Sequence, residues 1–159
     1  MGSSSDPVPV AVALGSNLGD REAHLRAALS ALRPIIDALS VSSFYDTEPV
    51  GVGAQPRFLN AAASGLTVLS PSDLLRALLD IEVRLGRTRP FPGASRTIDL
   101  DLIFYGDSII STPTLSVPHP RFREREFVLA PLAEVAAGWI DPLSGRTVSE
   151  LLRLVTGRG

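Results

Sequence analysis

Two aspartates stand two residues apart in a run of β-forming residues, Asp99-Leu100-Asp101 within TIDLDLIFY. Side chains alternate across a strand, so the two carboxylates share one face, about 7 Å apart at roughly 3.3 Å rise per residue. Ile98, Leu100 and Leu102 then take the opposite, buried face. Like charges so close repel, and a divalent cation relieves the repulsion. Oxygen ligands with no His or Cys beside them select magnesium over zinc. Asp is also a poor strand former, which favours chemistry over the plainer alternative of an exposed strand edge carrying acids for solubility.

Magnesium in such a setting usually completes its octahedron with phosphate oxygens. Arginines surround the acid pair. Arg84, Arg87, Arg89 and Arg96 precede it, Arg121, Arg123 and Arg125 follow it, and every basic residue of the chain is arginine. Arginine grips phosphate through a fixed fork of donors. Carboxylates for a metal and arginines for phosphates make up a phosphoryl-transfer site. No G-x-x-x-x-G-K-[ST] run occurs, so the chain is not a P-loop enzyme. Gly15-Ser16-Asn17-Leu18-Gly19-Asp20 follows a strand and offers a weak anion-binding signal that a tight strand-to-helix turn explains equally well. His119 lies between two prolines (VPHPR) near the arginines; a lone histidine is more often structural, but this one has polar neighbours. His24 falls in the first helix and is expected to be exposed.

The elements that must position these groups follow from periodicity. Residues 8–14 (VPVAVAL) read as a buried strand, and Asp20 caps a helix to about Arg33. A second strand is expected over 38–45, a Pro/Gly loop over 47–55, and a third strand over 58–68. Ser70-Pro71-Ser72-Asp73 opens a second helix that ends at Gly86. Residues 87–95 read as a mobile loop, 97–105 as a strand, and 108–110 as a short strand pairing back. Residues 113–120 read as irregular, 123–135 as partly helical and 147–155 as a last amphipathic helix. Strand, helix, strand, strand, helix, strand is the split βαβ, ferredoxin-like order. The fold expected is therefore α+β, an antiparallel sheet with helices packed on one face.

Apolar residues make up 45% and charged residues 20%, as in one ordinary globular domain, and there is no cysteine, which excludes disulfides and thiolate metal sites. The net charge of -2 argues against a nucleic-acid partner, and no apolar run approaches the roughly 20 residues that span a bilayer. Residues 1–7 read as a disordered or appended start and 8–159 as a single domain with no fused neighbour. A cytoplasmic monomer is expected.

Taken together, LGSNLGD (14–20), VSSFYDTEPVG (41–51), QPRFLNAA (55–62), IEVRLGRTR (81–89), RTIDLDLI (96–103), VPHPR (117–121) and REFVLAPL (125–132) resemble, in order, the 6-hydroxymethyl-7,8-dihydropterin pyrophosphokinase family. The resemblance runs from residue 10 to about residue 154. It implies a ferredoxin-like sheet and transfer of the β,γ-diphosphate of ATP to the pterin hydroxymethyl group, releasing AMP. It implies two magnesium ions on Asp99 and Asp101, triphosphate contacts from Arg87, Arg89, Arg96 and Arg125, with Arg87 and Arg96 nearest the chemistry, and an ATP contact from His119. Glu82, Leu102 and Ser116 fall at nucleotide-pocket positions. Phe58 and Phe127 would sandwich the pterin, Asn60 would read its amide-like edge, and Thr47 and Val50 would complete the slot. The loop over 90–95 departs from the family pattern. It is one residue short, and W-G-P-R becomes G-A-S-R, without the tryptophan; Thr114 replaces a family arginine.

Two other classes would use some of these features. A metal-dependent nucleotidyl- or glycosyltransferase can employ a D-x-D pair but needs a nucleotide-sugar pocket. A ferredoxin-like ligand-sensing or RNA-binding module would not need the two aspartates, and an RNA binder would be more basic.

Overall fold

The structure, a computed structural model, describes residues 6–48, 57–86 and 97–157. The elements run β1 (Val8–Ser16), α1 (Arg21–Leu32), β2 (Asp37–Val41), β3 (Tyr45–Thr47), β4 (Phe58–Thr67), α2 (Pro71–Arg84), β5 (Asp99–Tyr105), β6 (Ile110–Ser111), β7 (Ser116–Val117), a 3-10 turn (Phe122–Glu124), α3 (Glu126–Ala136) and α4 (Val148–Thr156). One antiparallel sheet has the order β2-β4-β1-β5, with β3 pairing β4 beyond β2. This is the ferredoxin-like order expected.

Local chemistry explains the boundaries. Asp20 caps α1 by accepting from the Ala23 amide at 3.1 Å, and Ser70 caps α2 by accepting from Asp73 at 3.2 Å. Thr147 and Glu150 close a reciprocal capping box at the start of α4. The expected second strand is two. Ser42 lies between β2 and β3, where its hydroxyl accepts from the Ala62 amide and its own amide donates to the Ala62 carbonyl, each at 2.9 Å. A side chain thus replaces one backbone rung, and the ladder is interrupted. The short strand after β5 pairs forward with 116–117 as a separate hairpin, not back onto β5.

Helices cover both sheet faces, which corrects the one-faced expectation. Val10, Val12 and Leu14 of β1 and Leu100 and Leu102 of β5 pack with Leu25, Leu29, Leu74 and Leu78 of α1 and α2. Ala11, Ala62, Ile103 and Phe104 pack with Leu129 and Leu132 of α3 and Val148 and Leu151 of α4. The β1–β5 register shifts between Ala11 and Val12, so Ile103 and Phe104 both join the second core. An extra residue of that kind is a β-bulge, which re-aims side chains. The second layer comes from α3, expected as partly helical, and α4, expected as a last amphipathic helix. No described helix is long and apolar enough to cross a membrane.

β2 bends over Gly65 of β4. A Cβ there would sit 2.5 Å from the Asp37 carbonyl oxygen and 2.6 Å from Ile36 Cγ2. Backbone cannot retreat cheaply, so Gly65→Ala should destabilise by about 1–3 kcal/mol, as overpacking does. A thermal melt lowered by several degrees checks this; an unchanged midpoint would show that β2 shifts freely.

Candidate active site

The sheet end that carries the acid pair is assembled by strand register. Gly15 of β1 pairs with Asp99 on one side and Asn60 on the other, and Asn60 pairs in turn with Tyr45. Ala13 pairs with Asp101 and Ala62 in the next row. Directly paired residues in an antiparallel sheet present their side chains on one face. Asp99, Asp101 and Asn60 therefore share the face that α3 and α4 cover further along. Asp99 and Asp101 are half-buried. Leu100 and Leu102, between and after them, are 7% and 5% exposed in the core against α1 and α2, as the alternation predicts.

Gly15 has no side chain because the space above it is taken. A Cβ there would lie 3.1 Å from Asn60 Oδ1 and 3.6 Å from Phe58 Cδ1. Asn60, 8% exposed, donates from Nδ2 to Thr47 Oγ1 at 2.6 Å, which leaves its carboxamide oxygen on the Gly15 side. β3 is joined to α3 as well. The Tyr45 hydroxyl donates to Glu134, whose other oxygen accepts from the Ser43 amide at 2.8 Å. The hydrogen bond to Glu134 pushes the Tyr45 phenol up to about 12, with burial adding to it. Phe58, Asn60 and Thr47 are thus brought together, and Phe127 stands in the first turn of α3 with the Arg125 guanidinium 5.6 Å from its ring centre.

The 3-10 turn and the segment before it bring the basic groups. The His119 amide donates to the Ile103 carbonyl at 3.1 Å, which ties His119 to β5. Its Nδ1 accepts from the Arg121 amide at 3.3 Å, so the neutral ring carries its proton on Nε2. Burial lowers the His119 pKa, and the charges of Arg125 and Arg121 add to this while Asp99 opposes it. When neutral, His119 therefore presents its N–H at Nε2, near Asp99.

The surroundings of the other expected residues are defined too. Glu82 is 3% exposed, and its Oε2 accepts from the Leu100 amide at 2.7 Å, fixing the start of β5. Leu102 points its side chain into the core opposite Asp101, and Ser116 is exposed on β7. His24 is half-buried, not exposed, with Nδ1 3.4 Å from Ser16 Oγ. Gly15 and Ser16 belong to β1, and the Asp20 carboxylate already occupies the first turn of α1, so the 15–20 segment is a strand-to-helix turn and not an anion cradle. Arg87, Arg89, Arg96, Val50 and the 90–95 loop lie outside the described residues. Sequence reasoning missed Gly15 as a builder of the site because the strand expected there stops at residue 14; β1 runs on to Ser16, and a glycine inside a strand often marks close approach.

A protein-family model described as 7,8-dihydro-6-hydroxymethylpterin-pyrophosphokinase (HPPK) matches residues 11–137. The chain belongs to this family. A pyrophosphokinase from Bacillus subtilis, 2-amino-4-hydroxy-6-hydroxymethyldihydropteridine pyrophosphokinase, is 48% identical over 126 residues, covering 78% of this chain and 75% of its own. The Pseudomonas aeruginosa pyrophosphokinase of the same name is 43% identical over 145 residues, covering 90% and 89%. Among solved structures, wild-type Plasmodium falciparum HPPK-DHPS with pterin and p-hydroxybenzoate superposes with a TM-score of 0.77 at 14% identity, covering 99% of this chain and 43% of that one. That likeness establishes the shared fold.

Proposed function

We infer that the protein transfers diphosphate from ATP to 6-hydroxymethyl-7,8-dihydropterin, giving AMP and the pterin diphosphate, a step of tetrahydrofolate biosynthesis. One observation carries the reading beyond family membership. Asp99 and Asn60 flank the same glycine on one sheet face, two strand spacings apart, or about 9–10 Å. A metal-bound triphosphate held at β5 and a pterin read at β4 would meet over Gly15.

Asp99 and Asp101 suit magnesium. They offer hard oxygens from one face, and no group of three acids or histidines gathers among the described residues. A cation taking two carboxylates draws its other ligands from phosphates and water. Two magnesium ions bound there would neutralise the triphosphate and orient it. Arg125, with Arg87, Arg89 and Arg96, supplies the fork donors for the phosphates, and His119 supplies an N–H. Glu82, Leu102 and Ser116 are assigned to the nucleotide side. Phe58 and Phe127 stack the pterin ring, worth on the order of 1 kcal/mol beyond area burial, while Asn60, Thr47 and Val50 fix its edge. The pterin hydroxyl oxygen attacks the β-phosphorus in line, the bond to the α-phosphate oxygen breaks, and AMP leaves. Positioning and charge stabilisation carry the rate. The working form we propose is a cytoplasmic monomer with one domain over 8–159.

The test is direct. Folded protein with ATP, magnesium and the pterin should release AMP in step with pterin diphosphate. No AMP, or ADP in its place, would defeat the reading. Gly15→Ala places a methyl against the Asn60 carboxamide. It should raise the pterin Kd about tenfold, roughly 1.4 kcal/mol, and leave the ATP Kd unchanged; equal losses for both ligands would count against the layout.

A further inference from the structure

We propose that Asp46 is a positioning residue for the pterin side of the site, an inference that rests on the proposed function. β3 has three residues and pairs with β4 alone. So short a strand has few backbone bonds to fix it, yet its last residue, Thr47, must hold Asn60 at 2.6 Å. On the site face, β3 is tied by Tyr45 and Glu134. Asp46 pairs with Leu59, so its carboxylate lies on the reverse face, where α1 begins.

Two arginines converge on it there. Arg57 Nε donates to Asp46 Oδ1 at 2.8 Å, and Arg21 Nη2 donates to Oδ2 at 3.1 Å. Each arginine also bonds backbone at the ends of β3 and β4, Arg21 reaching there from the start of α1. Arg57 Nη2 donates to the Asp46 carbonyl at 3.1 Å, and Arg21 Nη1 donates to the Arg57 carbonyl at 3.0 Å. Arg57 further pairs with Glu48 at 3.3 Å. The two guanidiniums hold the Asp46 carboxyl below the usual carboxylate range.

An isolated exposed ion pair contributes little to stability. This one differs in what it joins. Asp46 immediately precedes Thr47, and Arg57 immediately precedes Phe58. The network ties together the ends of β3 and β4 at the rung where Thr47 faces Phe58. It fixes geometry beneath two slot residues without touching the ligand. Its loss should therefore appear in pterin affinity before it appears in stability.

The test measures three quantities on the full chain: the Kd of 6-hydroxymethylpterin, the Kd of a non-hydrolysable ATP analogue with magnesium, and the melting temperature. Asp46→Asn should raise the pterin Kd about five- to tenfold, leave the ATP-analogue Kd within twofold and move the melt by no more than a degree or two. Arg57→Gln should do the same, and the double variant should be no worse than either single one. Arg57→Lys, which keeps charge but not the fork, should stay impaired. Glu22→Gln, which breaks the exposed Glu22–Arg26 pair on α1, should change nothing. Unchanged pterin affinity in Asp46→Asn overturns the proposal, as does a parallel loss of ATP affinity and stability. A parent protein that binds no pterin overturns the functional reading, and this inference with it.

Discussion

Alanine at either Asp99 or Asp101 should cut diphosphate transfer at least a thousandfold while the protein stays folded. Three powers of ten correspond to about 4 kcal/mol of transition-state stabilisation. Removing a carboxylate that orients a metal against a transferring phosphate can supply an effect of that size. The fold should survive because neither aspartate belongs to a core. Both are half-buried on the face opposite Leu100 and Leu102, and the hydrophobic contacts of β5 remain in each variant. Asp→Asn at the same positions keeps shape and removes charge, so it should lose nearly as much. Steady-state AMP release across a magnesium titration is the measurement. Partial recovery at high magnesium is expected, because a lost ligand weakens binding of the ion. Near-normal turnover in either alanine variant would sink the metal assignment.

Asp141→Ala should be the most destabilising change on the opposite side of the molecule from α1 and α2. Asp141 is fully buried, and its carboxylate takes two bonds from Arg123, one of them from Nη2 at 2.8 Å, and one from the Leu143 amide at 3.1 Å. Burial alone would push its pKa up. The Arg123 guanidinium, the Ser144 hydroxyl and the Leu143 amide more than offset that and hold it below the usual value. Removing one member of a buried pair leaves the other uncompensated, at a cost of about 3–5 kcal/mol. Arg123 keeps 23% exposure, so the low end, about 3 kcal/mol, applies. At roughly 2–4 °C per kcal/mol for a chain of this size, the melt should fall by about 10 °C. The linkage has a definite sign. A carboxyl whose folded pKa is depressed stabilises above its unfolded value of 3.8, and that contribution fades as pH falls through the lower folded value. The gap between parent and variant should therefore narrow in acid. A variant melting within a degree or two of the parent at neutral pH would refute the assignment.

Much of this was legible in the sequence because it rests on local rules. Alternation in 98–102 places Asp99 and Asp101 opposite the leucines, and cap residues such as Asp20 and Ser70 mark helix starts. What escaped depends on partners far along the chain. The split at Ser42 needs Ala62 across the sheet, and the hairpin of 110–111 needs 116–117. The second helical layer was obscured by Pro131 inside α3 and by a bulge that sends Ile103 and Phe104 the same way, breaking the period. Glu82 illustrates a subtler limit. The resemblance implies a nucleotide-pocket position for it, whereas its place in the fold also gives it a backbone amide to hold. Asp46 and Arg57 are eleven positions apart and look like ordinary surface charges until β3 and β4 are paired.

The bulge in β5 has an optical corollary. Phe104, turned toward the second core, lies 6.3 Å from the ring of Trp139, the chain's single tryptophan. Tryptophan emission therefore samples one place, the far end of the strand whose near end bears Asp99 and Asp101. Nucleotide bound at the carboxylates, as proposed, would alter that emission to the extent that β5 itself moves or α3 and α4 repack on it. A silent tryptophan during turnover would mean that the strand acts as a rigid mount, with all motion confined to the chain around it.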